Sequence, residues 1–170
     1  MNLITLSETW GSSPEEREAH YPCDNLARGS AFFRAIDVHA PVSKTFRWLC
    51  QLKVAPYSYD WLDNYGKQSP RALVAGLDEL SAGQRVMSIF KLVSFEHDDH
   101  ITIQIASPQA RKLFGDMTVT YRVMPTNLGS RIVVKIIFTN RGRLWYHFFA
   151  FGDLIMMRKQ LITLKQLAES

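Results

Sequence analysis

A chain of 170 residues is long enough to bury a full core without disulfide or metal staples. Its 46% hydrophobic and 21% charged composition excludes a disordered or collagen-like polymer. The formal charge of +4 comes from 20 Lys and Arg against 16 Asp and Glu; the basic residues are dispersed, which argues against a nucleic-acid partner.

Residues 1–30 read as a polar lead segment that packs along the following domain. Within it Ser13 can cap a short helix, Pro14 suits the first helical position and Glu16 can close a capping box. From 32 to 40 the run FFRAIDVHA is rich in β-formers, with Phe32, Arg34, Ile36 and Val38 on one face. Pro41 stops strand pairing and can open a helix, whose apolar face is Val42, Phe46, Leu49 and Cys50.

Residues 52–82 lose this periodicity. Gly and Pro make the stretch a looping region, with a short helical turn expected near Leu77 to Leu80, and aromatic residues gather between Tyr57 and Tyr65. Four runs of alternating apolar residues follow: 85–95, 101–105, 117–123 and 131–138. They predict an antiparallel meander with one buried face, turning at 97–100 and 125–129. After a turn at 140–142, residues 143–168 predict a helix of roughly 40 Å. Its core stripe is His147, Ala150, Leu154, Met157, Leu161 and Leu164. Phe148, Phe149, Phe151 and Ile155 widen the apolar surface of the N-terminal half, which is expected to be the more deeply enclosed.

The element order predicts one α+β domain over 31–170, with helices on one side of a curved antiparallel sheet. Cys23 and Cys50 have no metal-ligand spacing, and the N-terminus has no basic segment followed by an apolar run. The apolar stretch 144–157 contains His147 and Asp153 and is too short to span a bilayer. The expected location is the cytoplasm.

Residues 46–52 (FRWLCQL), 55–64 (APYSYDWLDN), 69–71 (SPR) and 156–161 (MMRKQL) carry a resemblance to a known superfamily. In these segments and in element order from about Phe32 onward, the chain resembles the SRPBCC superfamily. That group includes START domains, the birch-pollen allergen family and polyketide cyclases, and the likeness is greatest to cyclase/dehydrase-like bacterial members. The resemblance implies a helix-grip fold and an apolar ligand, such as a lipid, sterol or polyketide, held between sheet and long helix. It transmits no particular activity.

Asp60, with Asp63 beside it, is the leading acid/base candidate, because a carboxyl facing a dry aromatic cavity is raised in pKa and suited to proton transfer. The simpler explanation, which we favour, is that these carboxylates cap turns or meet Arg71. His147 on the apolar stripe could serve as a base or ligand anchor, and a hydrogen-bonded core histidine is the commoner arrangement. The His97-Asp98-Asp99-His100 cluster lies in an expected turn without a distant third ligand, so no metal site is expected. No nucleophile elbow or nucleotide motif occurs, so no cofactor is expected. Insertion of the aromatic helix at a membrane surface is less well supported than core packing, its polar face not being strongly basic.

The expected function is binding of a small apolar or amphipathic molecule, with Trp48, Tyr57, Tyr59, Trp61, Phe151 and Met156 as contacts. The alternative is a cyclase, dehydratase or hydrolase in which Asp60 and His147 transfer protons on a ligand in the same cavity. A partner-binding protein with a vestigial pocket is a third possibility, and oligomeric state is left open.

Overall fold

The structure, a computed structural model, describes residues 3–63, 66–139 and 142–170. Strands β1 (Ser30–Val38), β2 (Arg85–Val86), β3 (Phe90–Glu96), β4 (His100–Ile105), β5 (Met117–Thr126) and β6 (Gly129–Phe138) form one antiparallel sheet. Its order is β1-β6-β5-β4-β3-β2, a meander whose first strand returns to lie beside the last. The long strands run where β-branched residues alternate with polar ones. Among the described residues six α-helices accompany them: α1 (Leu3–Thr9), α2 (Pro14–Glu18), α3 (Val42–Cys50), α4 (Asp60–Asp63), α5 (Pro108–Phe114) and α6 (Arg143–Glu169). Helices α3 and α6 cover the concave face of the sheet, and the main core of Phe, Leu, Ile and Val side chains lies between.

The capping box is present: Ser13 Oγ accepts from Glu16 N, and Glu16 Oε2 accepts from Ser13 N at 2.7 Å. The same Glu16 side chain reaches Arg131 on β6, so one residue starts a helix and ties it to the sheet. The chain crosses β1 at Gly11, where Trp10 accepts from Ala35 N; a Cβ at Gly11 would lie 2.1 Å from the Ala35 carbonyl oxygen. Only glycine permits that approach. Tyr21 and Cys23 then cover the outer faces of β1 and β6 and form a second core with Phe33, Ala35, Val133 and Ile137. Both faces of β1 are therefore buried, and Arg34 is enclosed with the inner one.

Four points differ from the expectations above. The run 85–95 is not one strand: Met87 and Ser88 adopt positive φ and turn the chain between β2 and β3. Alternation alone does not register such a turn, because neither residue is a glycine. Helices α1, α4 and α5 were not anticipated; each is shorter than two full turns and too brief for a periodic signature. The N-terminal half of α6 is the less enclosed half. Leu144 is 88% and Phe148 82% exposed, whereas Leu161, Leu164 and Ala168 are buried. The first half meets the core along one narrow face, through Trp145, Tyr146, Phe149 and Ala150, and roofs an open space beside it. The turn expected at 140–142 falls largely outside the described residues. Residues 75–78 form a hydrogen-bonded turn in place of a helical one at 77–80. Among the described residues no helix is long and apolar enough to cross a membrane.

Candidate functional site

Between the sheet and the first half of α6 lies a cavity of about 570 Å³, within the range of small-molecule sites. Met117, Val119, Tyr121 and Ile136 form its floor, all from the inward face of β5 and β6. Its roof is one side of α6, from Phe148 and Phe149 through Gly152, Asp153, Met156 and Met157 to Gln160. Pro56, Ser58, Met87 and Ser88 complete the wall on the side of the loops. Tyr57, Met87 and Ser88 all have positive φ, so three strained residues lie in or beside this wall.

Gly152 is the one glycine inside α6, and a Cβ built there meets nothing within 4 Å. A helix interior normally disfavours glycine by about 1 kcal/mol relative to alanine. Gly152 is exposed at the cavity wall, and the missing side chain leaves open space there.

Asp153, next along the helix, is the only acidic residue on the wall. Its Oδ2 accepts from Arg34 Nη2 at 2.7 Å. Arg34 is fully buried, and its other bonds go to the carbonyls of Phe33 and, in α1, of Ser7, each at 2.8 Å. Burial pushes the Asp153 carboxyl above its ordinary range, with the Arg34 charge pulling the other way. Burial also lowers Arg34, yet a guanidinium keeps its proton, and the 2.7 Å contact between Arg34 Nη2 and Asp153 Oδ2 has the geometry of an ion pair. Tyr121 donates to Gln160 Oε1 at 2.8 Å, and burial, then the charge of Asp153, raise its phenol strongly. Gln160 Nε2 donates to the Pro56 carbonyl at 2.7 Å, fixing the loop against the helix.

Of the residues singled out from sequence, Met156 lines this cavity. Trp48 and Tyr57 are buried in the core edge to face, ring centroids 6.1 Å apart, with Trp48 Nε1 and the Tyr57 hydroxyl lacking hydrogen-bond partners among the described residues. Tyr59 is half-buried, Trp61 is 74% exposed and Phe151 is exposed on the outer side of α6; none of the three is on the cavity wall. Both Asp60 oxygens accept from Ser69, one from its backbone N–H and one from its hydroxyl, so this carboxylate closes the 60–69 loop. The Asp63 side chain lies outside the described residues. His147 is half-buried with its ring edge against Tyr146, away from the cavity wall. The structure thus does not bring Asp60 and His147 onto one cavity surface.

Sequence reasoning missed Asp153, Arg34 and Gly152 as site residues. The signal was available: an arginine on the apolar face of a strand requires a counter-ion. Asp153 is the single acid in the apolar stretch 144–157.

Glu96, Asp99 and His100 place three ligand-type atoms within 4.8 Å of one another. Two of the three already have partners: His100 Nδ1 is 2.7 Å from Asp99 Oδ2, and Arg122 Nε donates to Asp99 Oδ1 at 3.1 Å. Ser94 Oγ meets the other ring nitrogen at 3.2 Å, so the cluster braces the β3–β4 turn.

No protein-family model matches the chain, and no curated protein matches it in sequence. Solved structures do match in fold. Protein MLL2253 from Mesorhizobium loti is 14% identical, with 81% of this chain and 96% of that one covered at a TM-score of 0.51. The Aha1 dimer from Colwellia psychrerythraea is 12% identical, covering 82% and 96% at 0.53. The di-domain ARO/CYC StfQ from the steffimycin biosynthetic pathway is 14% identical over 82% of this chain and 50% of its own, at 0.51. With its six-stranded antiparallel sheet closed by one long C-terminal helix, the chain has the helix-grip fold.

Proposed function

We propose that this protein binds a small hydrophobic or amphipathic molecule, lipid-, polyketide- or sterol-like in character, in the cavity between the sheet and α6. The observation that carries the reading is the cavity itself: about 570 Å³ of space, hydrocarbon on most sides, with a glycine of the roofing helix on its wall. A chain selected only for stability would fill that space, because apolar voids cost free energy in proportion to their size. StfQ, which shares the fold, comes from a biosynthetic pathway and is consistent with an organic ligand. An enzymatic use of the same cavity, with Asp60 and His147 transferring protons, would require both side chains to reach a ligand from outside the wall described above.

Titration with the neutral apolar fluorophore N-phenyl-1-naphthylamine tests the reading, comparing the protein with its Gly152→Leu variant. The leucine enters open space, so the helix gains about 0.5–1 kcal/mol of intrinsic stability. Binding is expected to weaken about tenfold or more. Higher thermal stability with lost binding supports the cavity as the site. Equal binding by both proteins, or none by the parent, refutes it.

A further inference from the structure

The polar groups inside the cavity have few protons left to give. The Tyr121 hydroxyl proton goes to Gln160 Oε1. The Gln160 amide protons go to the Pro56 carbonyl and toward the Met87 sulfur, at 2.7 and 3.5 Å. Asp153, ionised beside Arg34, has none; one of its oxygens accepts from the guanidinium, and the other has no partner among the described residues. The interior therefore offers a ligand lone pairs: the second Asp153 oxygen, and the Tyr121 oxygen whose proton is spent. Ser58 and Ser88 belong to the loop side of the wall, where Ser88 is exposed.

Charge narrows the choice further. Arg34 and Asp153 cancel each other, so the chamber is neutral as built. A carboxylate brought in by a ligand would add a second negative charge beside Asp153. An ammonium would leave a net positive charge beside Arg34. Either excess charge, desolvated among Met, Phe, Val and Ile side chains, is strongly disfavoured. A hydroxyl donates one proton to the open carboxylate oxygen and changes the net charge by nothing, and hydrogen bonds to an ionised acceptor are the stronger kind.

We propose that the cavity selects a neutral alcohol or phenol on an apolar body, its hydroxyl donating to Asp153, over the carboxylate or the methyl ether of the same body. This rests on the cavity being the ligand site proposed above. The ligand's hydroxyl would lie beneath the middle of α6, with its apolar body over Val119, Met117 and Ile136.

The test displaces N-phenyl-1-naphthylamine with three ligands of matched shape: 2-naphthol, 2-methoxynaphthalene and 2-naphthoate. At neutral pH 2-naphthol is expected to displace the fluorophore about tenfold more effectively than the ether, and more effectively still than the carboxylate. In the double variant Arg34→Met, Asp153→Leu, which removes both charges, the advantage of 2-naphthol over the ether should fall within about threefold while the fluorophore still binds. The isosteric Asp153→Asn supplies a second reading where the double variant does not fold, and should also reduce the advantage. Equal displacement by 2-naphthol and the ether in the parent protein would overturn the inference, as would an advantage that survives in both variants. Either result leaves the cavity itself intact as a binding site. A parent protein that does not take up the fluorophore overturns both.

Discussion

The Arg34–Asp153 pair joins three parts of the molecule at one contact: β1, α6 and, through the Ser7 carbonyl, α1. Its energetics are asymmetric, since removing one partner of a buried pair strands the other charge. Arg34→Met should destabilise the protein by about 3–5 kcal/mol, and adding Asp153→Leu should recover most of that loss. Urea unfolding of the single and double variants measures both values. A double variant as unstable as the single one would mean that Arg34 acts through its carbonyl contacts instead. At this scale the sequence was a partial guide. It identified Met156, and it placed Arg34 on the same strand face as Phe32. It gave most weight to aromatic residues of the 57–65 loop because aromatic composition is conspicuous. Composition carries no direction, however, and Trp61 points into solvent while Asp60 spends both oxygens on Ser69. The residues that shape the cavity are inconspicuous ones: a glycine, and an acid whose partner lies 119 positions away in sequence.

Among the elements, α6 divides into two halves with different work. From Met157 onward the helix is anchored: Leu161, Leu164, Leu167 and Ala168 are buried, and Glu169 accepts from His39 N at 2.7 Å beside the end of β1. Before Met157 it roofs the cavity, and Leu144, Phe151 and Ile155, spaced seven and four apart, are exposed apolar residues off the cavity wall. A sequence stripe identifies apolar faces but not what lies beneath them, which is why the helix was legible to within a residue while its enclosure was not. The four long strands were legible for a related reason, since period two requires one face in and one face out. The short turn between β2 and β3 was hidden by the same alternation. Replacing Leu144 by Lys should leave stability within about 0.5 kcal/mol, as expected of an exposed position off the cavity wall. Ala150→Asp, six residues on, places an unpaired carboxyl in the core and should cost several kcal/mol, on the order of 3 or more. Thermal denaturation of the two variants distinguishes the faces; similar losses from both would contradict the division.

Across the whole molecule, the segment before β1 is fastened to the sheet by ionised pairs as well as by the Tyr21 and Cys23 contacts. Glu16 bonds Arg131, which also donates to the Gly11 carbonyl at 2.7 Å, and Asp24 pairs with Lys135 at 2.6 Å. Burial acts against both carboxylates. The Arg131 and Ser13 bonds outweigh it at Glu16, and the Lys135 and Tyr21 bonds at Asp24, so both pKa values lie below their ordinary 4.5 and 3.8. A carboxyl with a depressed folded pKa binds fewer protons folded than unfolded, so its contribution is complete above the unfolded value and is lost as pH falls through the folded one. Asp153 carries the opposite sign: its raised value favours the folded state on acidification. Acid should therefore loosen the lead segment before the sheet, and a single melting temperature would blur the two effects. Hydrogen exchange resolves them. Between pH 5 and 3 the amides of Ala35 and Cys23, bonded to Trp10 and Thr120, should lose protection while Val119 and Ile136 in the central strands keep theirs. Glu16→Gln should loosen the Ala35 amide already at neutral pH and flatten its pH dependence. Uniform loss across segment and sheet would mean that the segment and the cavity-bearing sheet open as one cooperative unit, and that the ion pairs do not hold the segment separately.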